Sequence, residues 1–204
     1  MIELVIEWLN FISLHVCAIL FAYLTTLSVM PVTREEERGE QAWDECATLR
    51  NISFVFAGIM ILNTIFWFWF PVSELAWVLN PDPLFGIIIG AIIGIPCIAI
   101  LRVAMRDAGE EMGAPQKGIS MHGGIYKRIR HPGALGEMPL YIVVALIVNS
   151  LFLTIWMTAF VFLFTPMHIY YEEKDLLKRF GEDYAEYRRT TPALFPGLKR
   201  RRKD

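Results

Sequence analysis

Four stretches of this chain contain no Asp, Glu, Lys or Arg: Trp8 to Val32, Ile52 to Ser73, Leu84 to Leu101, and Met138 to Tyr171. Each reaches or exceeds the ~18 uncharged apolar residues that mark a membrane-crossing helix. The 204 residues are 55% hydrophobic and 20% charged, with mean hydropathy +0.43. Soluble domains run nearer 45–50% apolar and about 25% charged. An integral membrane protein is expected, and a soluble enzyme, a secreted disulfide scaffold and a disordered tail are excluded. The first run follows two acids and no base, and it is too long for a cleavable signal peptide. It is expected to remain as a helix.

The last run is 34 residues, about 51 Å as one helix at ~1.5 Å per residue against a hydrocarbon core of ~30 Å. Asn149-Ser150 falls inside it. A turn there gives helices from about Pro132 to Val148 and from about Leu151 to Tyr171, an antiparallel hairpin, and five spans in all. The 19 basic residues then sort by side. Arg34, Arg38 and Arg50 fall in the first loop, Arg102 to Arg130 supply those of the third, and the rest run from Lys174 to Lys203. The positive-inside rule therefore predicts an external N-terminus and a cytoplasmic C-terminus.

Other apolar features predict packing. Gly86, Gly90 and Gly94 repeat every fourth residue, a spacing that lets membrane helices approach closely. Pro71, Pro96 and Pro166 are expected to kink or end helices, and His15 to be a packed polar residue. Cys17, Cys46 and Cys97 have no metal or redox spacing, so no metal site is expected.

Two polar segments carry the chemistry. The first runs from Gly123 to Gly133 and on to Glu137. Pro132 marks a helix start with His131 beside it. Unpaired N–H groups there, together with Arg130, predict a site for an anionic group. Glu137, about one turn into the membrane, needs either a partner such as Arg130 or Arg102, or a task. The second segment is Tyr170-Tyr171-Glu172-Glu173-Lys174. The hairpin brings Glu172 level with His131, which suits a zwitterionic ligand. Leu176, Leu177, Phe180, Tyr184 and Tyr187 then recur at roughly helical spacing, interrupted by Gly181, and predict an amphipathic helix on the membrane or over the site.

Gly124-Ile125-Tyr126, Arg130-His131-Pro132, Leu135-Gly136, Glu172-Glu173, Phe180-Gly181-Glu182-Asp183-Tyr184, Tyr187 and Phe195-Pro196 occur in an order that resembles the isoprenylcysteine carboxyl methyltransferase family. Phospholipid methyltransferases belong to the same wider group. The resemblance covers roughly residues 105–196. It implies an all-α polytopic bundle of five transmembrane helices with a C-terminal amphipathic helix. Residues 1–106 would form the first three spans and residues 107–204 the cofactor-binding core.

The implied activity is methyl transfer from S-adenosylmethionine to a lipophilic acceptor arriving through the bilayer. Family cofactor contacts carry over to Ile119, Ser120, Met121, Tyr126, His131, Pro132, Gly133, Ala134 and Glu172. Arg130 joins them from the anion-site reading. Glu173, His168 and Glu137 are the candidates for taking a proton or orienting the acceptor. Two positions depart from the family pattern: Ala134 stands where tyrosine is common, and His168 aligns with an arginine that contacts substrate in the prenylcysteine enzymes. The acceptor stays open among a prenylated cysteine, an aminophospholipid and a small lipophilic acid, amine or thiol. The bilayer is the expected partner, the cell membrane in a prokaryote, and no nucleic acid is expected.

The Arg-His-Pro segment with Gly136-Glu137 also resembles NADPH-dependent membrane sterol reductases. Those tend to carry basic residues where this chain has Glu172-Glu173, and asparagine-tyrosine where it has Gly133-Ala134. A non-enzymatic scaffold would explain the helices but not the polar cluster.

Overall fold

The computed structural model describes residues 2–115, 117 and 123–195. Seven α-helices account for most of them: α1 (Ile2–Ser28), α2 (Pro31–Arg38), α3 (Ala42–Phe66), α4 (Pro83–Ala108), α5 (Pro132–Ile147), α6 (Leu151–Phe180) and α7 (Glu182–Thr190). Helices α1, α3, α4 and α6 are long and apolar enough to cross a membrane, and α5 is a shorter apolar helix. The protein is thus a polytopic membrane helical bundle.

Several helix boundaries move relative to expectation. The second span begins ten residues before Ile52, because the charged, helix-favouring stretch from Ala42 to Arg50 continues the same helix beyond the apolar run. It ends at Phe66, ahead of Pro71, and the first span ends at Ser28, just before Pro31 opens α2. Pro96 and Pro166 sit inside α4 and α6, where neighbouring helices can accommodate the lost donor.

The bundle core lies where α1, α3, α5 and α6 meet, around Leu14, Phe21, Met60, Tyr141, Leu153 and Met157. Polar side chains join α1 to α3. Asn10 Nδ2 donates to the Asn63 carbonyl at 3.1 Å, and Asn63 Nδ2 donates to Ser13 Oγ at 2.9 Å. Hydrogen bonds of this kind stabilise helix pairs where burial of apolar surface offers no drive.

Helix α4 turns its isoleucines outward and its glycines inward: Ile88, Ile92 and Ile95 are exposed, whereas Gly86, Gly90 and Gly94 are buried. A Cβ on Gly86 would run into the Leu146 carbonyl, and one on Gly94 would meet Val143 Cγ1 at 3.2 Å. The four-residue glycine repeat is the seam against α5. His15 is packed as expected, its Nδ1 2.7 Å from the Phe11 carbonyl oxygen.

The hairpin turns at Asn149-Ser150. Asn149 adopts φ 60°, and Ser150 Oγ accepts from Leu153 N at 3.2 Å, capping α6. The loop between α3 and α4 reaches the same end, where Asn149 Nδ2 donates to the Asn80 carbonyl at 2.9 Å. At the opposite end the base-bearing segments converge. Lys117 Nζ lies 2.8 Å from Glu35, Lys178 Nζ 2.9 Å from Glu36, and Arg179 Nη1 2.6 Å from Glu111. That end holds the candidate site.

Candidate functional site

Helix α5 has 16 residues, about 24 Å at ~1.5 Å per residue, and falls short of a ~30 Å hydrocarbon core. Its start is overhung by its longer neighbour α6, whose 30 residues carry Glu172, Glu173 and Asp175 past it. A pocket opens there. The first half of the chain contributes Phe21, Thr25 and Arg50, and the second half contributes His131, Glu137 and Glu172.

Two short 3-10 turns wall the pocket. The Gly124–Lys127 turn starts with Gly124 at φ 51°, a left-handed conformation that favours glycine. The Asp107 carboxylate fills the space a Cβ would need there and accepts from Ile125 N at 2.8 Å. This places Tyr126, 4% exposed, with its side chain at the pocket. The Gly109–Met112 turn is held by Arg50, whose Nη1 donates to the carbonyls of Glu111 at 3.0 Å and Met112 at 3.2 Å. Arg50 Nη2 also donates to the Ser28 carbonyl at 3.2 Å, so one guanidinium ties α1, α3 and the turn together.

A chain of charges crosses the helix start. His131 Nδ1 lies 2.9 Å from Glu172 Oε2, and its Nε2 lies 3.0 Å from Glu173 Oε1. The same Glu173 oxygen accepts from Arg130 Nε at 2.8 Å and from Nη2 at 2.6 Å. His168 Nε2 stands 4.0 Å from Glu172 Oε2, and its Nδ1 is buried with no hydrogen-bond partner among the described residues. Burial pushes the His131 imidazole down, but Glu172 and Glu173 outweigh it and raise the pKa to about 9. His131 is therefore an imidazolium at neutral pH. Burial raises the Tyr126 and Tyr184 phenols, and Tyr187 to about 12, so all three remain protonated donors.

The helix start differs from the anion site expected there. Arg130 N donates to the Pro192 carbonyl and His131 N to the Ala193 carbonyl, each at 3.0 Å. Arg130 Nη1 donates to the carbonyls of Arg188 and Thr191. The tail after α7 folds back and occupies these donors, which leaves Arg130 holding Glu173 and the tail. Tyr187 Oη donates to the Tyr126 carbonyl at 2.6 Å, so α7 packs over the site.

The residues singled out from sequence separate into groups. Tyr126, Arg130, His131, Gly133, Ala134, Glu137, His168 and Glu172 all border the pocket. Pro132 is fully buried beneath it. Glu173 stands on the far side of His131 and does not border the cavity. Glu137 accepts from Tyr141 Oη at 3.2 Å, whereas Arg130 goes to Glu173. Ile119, Ser120 and Met121 lie outside the described residues.

Sequence reasoning missed Arg50, Glu111, Asp175 and Arg179. Asp175 is 1% exposed, accepts from Val32 N at 3.2 Å and Thr33 N at 2.7 Å, and so caps the start of α2. Glu111 and Arg179 form a pair whose side chains are 5% and 7% exposed. The one available signal was Arg50, a charge two residues before an apolar run.

S-adenosylmethionine presents a sulfonium and an ammonium, a carboxylate and an adenosine. The pocket answers these with the Glu172 and Glu137 carboxylates, the Arg50 guanidinium, and the aromatic faces of Phe21 and Tyr126. The residues present fit the group. Gly133 keeps the wall low, since a Cβ there would meet Met112 Cε at 2.9 Å.

The chain is 28% identical over 167 residues to methanethiol S-methyltransferase 2 of Bradyrhizobium diazoefficiens, covering 74% of this chain and 61% of that protein. It is 26% identical over 166 residues to the methanethiol S-methyltransferase of Pseudomonas deceptionensis, covering 76% and 62% respectively. The match thus spans about three fifths of the length of these curated relatives. No family model and no solved structure matches the chain.

Proposed function

We propose that this chain is an integral-membrane methyltransferase that transfers a methyl group from S-adenosylmethionine to a small lipophilic acceptor, a thiol foremost, reaching the pocket from the bilayer. The observation that carries the reading is the convergence of Glu172, His131, His168, Glu137 and Arg50 on one recess at the end of an apolar bundle. The names of the two relatives support both the methyl transfer and the thiol. They favour it over a reductase or a scaffold.

In this reading the base-rich end is cytoplasmic, with the N-terminus outside, and the soluble donor enters there. Residues 107–204 supply most of the polar contacts, and residues 1–106 supply the Phe21 and Arg50 walls. Bound S-adenosylmethionine supplies a methyl group already attached to a good leaving group. The protein's work is then to position the acceptor and exclude water, which can lower a barrier by roughly 7–11 kcal/mol. Glu172 attracts the donor's positive charge. Its own orientation is fixed by His131, which Glu173 and Arg130 hold from behind. Phe21 and Met138 give the acceptor an apolar approach. Helix α7 and the tail close the aqueous side.

The test is transfer of label. Full-length protein in nanodiscs, given methyl-labelled S-adenosylmethionine and butanethiol, is expected to release labelled methyl butyl sulfide. Labelled product from an amine or a carboxylic acid but from no thiol would reassign the acceptor, and no labelled product from any of them would end the reading.

A further inference from the structure

A neutral thiol carries a proton that must leave as the S–CH3 bond forms. Most of the titratable groups at the recess are already engaged: Glu172 faces His131, Glu111 pairs with Arg179, and Asp175 accepts from the start of α2. Both ring nitrogens of His131 face carboxylates, at 2.9 Å and 3.0 Å. Glu173 accepts from Arg130 and lies outside the cavity lining. Glu137 accepts from Tyr141. His168 remains: its side chain is 12% exposed, borders the pocket and lies tilted against Phe164 with ring centroids 5.4 Å apart. Its Nδ1 is buried and has no hydrogen-bond partner among the described residues. A buried polar atom left without a partner is destabilising and calls for an explanation.

We propose that His168 is the catalytic base, accepting the thiol proton on Nδ1 while Glu172, facing Nε2, stabilises the imidazolium that results. The inference rests on the methyl-transfer reading above. The tautomer follows from the geometry: at 4.0 Å the Glu172 carboxylate is beyond hydrogen-bond distance, but its field favours the proton on Nε2. Nδ1 is then the ring nitrogen that keeps an unengaged lone pair among the described residues, on a side chain that borders the cavity. In the step, the thiol S–H bond breaks and its proton goes to Nδ1. The electron pair left on the acceptor sulfur forms the new S–CH3 bond. The methyl's old bond to the sulfonium breaks, and that electron pair neutralises the donor sulfur to a thioether. One positive charge is lost at the donor sulfur and one gained on the imidazolium, beside Glu172, so the net charge of the recess is unchanged. The assignment also selects the substrate: a neutral thiol needs this base, whereas an acceptor that arrives ionised does not.

The test compares wild type and His168→Gln with butanethiol, almost wholly protonated at neutral pH, and thiophenol, largely ionised there. Wild type is expected to methylate both. His168→Gln should lose on the order of 10²-fold in kcat with butanethiol, lose only a few-fold with thiophenol, and keep the wild-type Kd for S-adenosylhomocysteine. Equal losses with both thiols, or no loss with butanethiol, would overturn the base assignment while leaving methyl transfer standing. Absence of methylation of both thiols by wild type would overturn the base assignment together with the thiol as acceptor. A readout independent of turnover uses 15N-histidine NMR on the resting wild-type protein. His168 is expected as the neutral Nε2–H tautomer, and an Nδ1–H tautomer or an imidazolium would contradict the assignment.

Discussion

His131 Nδ1 lies 2.9 Å from Glu172 Oε2, a contact that locks the first turn of α5 to the far end of α6. The two residues meet because α5 and α6 leave the Asn149-Ser150 turn side by side. Glu172 is then shared, with His131 on one side and His168 at 4.0 Å on the other.

The charge on His131 makes stability depend on pH. Its folded pKa of about 9 exceeds the ordinary 6.5. A raised pKa in the folded state adds stability that is fully present below pH ~6.5 and is lost as pH rises through about 9. The rise corresponds to on the order of 3 kcal/mol. Between pH 7 and pH 10 the wild-type Tm is expected to fall further than that of His131→Gln. Parallel falls in the two proteins would show that His131 is not an imidazolium in the fold.

The Glu111–Arg179 pair is almost sealed from solvent, with side chains 5% and 7% exposed. Glu111→Gln removes one charge of this buried pair and is expected to destabilise the fold. Replacing both residues with Met should cost much less than the sum of the two single changes. Thermal melts of the four proteins in one detergent check this, and simple additivity would argue against a buried pair.

Close helix approach separates the glycines. A Cβ on Gly136 would meet Leu101 N at 2.6 Å and Leu101 Cα at 2.8 Å, main-chain atoms that cannot swing aside. Around Gly58 nothing lies within 4 Å. Gly136→Ala should therefore destabilise by more than about 2 kcal/mol, since it overpacks a closed contact. Gly58→Ala should be neutral or stabilise by up to about 1 kcal/mol through helix propensity. Steric denaturation profiles or thermal melts read the difference.

Gly133 is a different case, because the neighbouring atom is the flexible end of Met112. Gly133→Val is expected to fold while crowding the pocket, weakening S-adenosylhomocysteine binding at least tenfold with a Tm near that of wild type. Unchanged affinity would place the donor away from this wall.

Much of the bundle could be read from the chain because it depends on local composition. The apolar runs, the turn at Asn149-Ser150 and the glycine repeat in α4 each report a constraint carried by neighbouring residues. The meeting of His131 with Glu172 followed from hairpin geometry alone. The rest depends on contacts between distant segments. Asp175 caps α2 from across the fold, and nothing near either segment announces it. Arg130 read as an anion ligand because the carbonyls of Pro192 and Ala193, which draw the tail over the helix start, leave no mark in a sequence. Arg50 read as a loop charge because the polar stretch before it resembles a connection, although it continues α3.

The central claim is that the recess bounded by Glu172, Glu137 and Arg50 binds a methyl donor. Calorimetric titration of the full chain in detergent with S-adenosylhomocysteine tests it most directly, alongside Glu172→Gln and a parallel titration with NADPH. The account predicts saturable one-site binding that Glu172→Gln weakens at least tenfold, with no binding of NADPH. Saturable NADPH binding with no response to S-adenosylhomocysteine would contradict it.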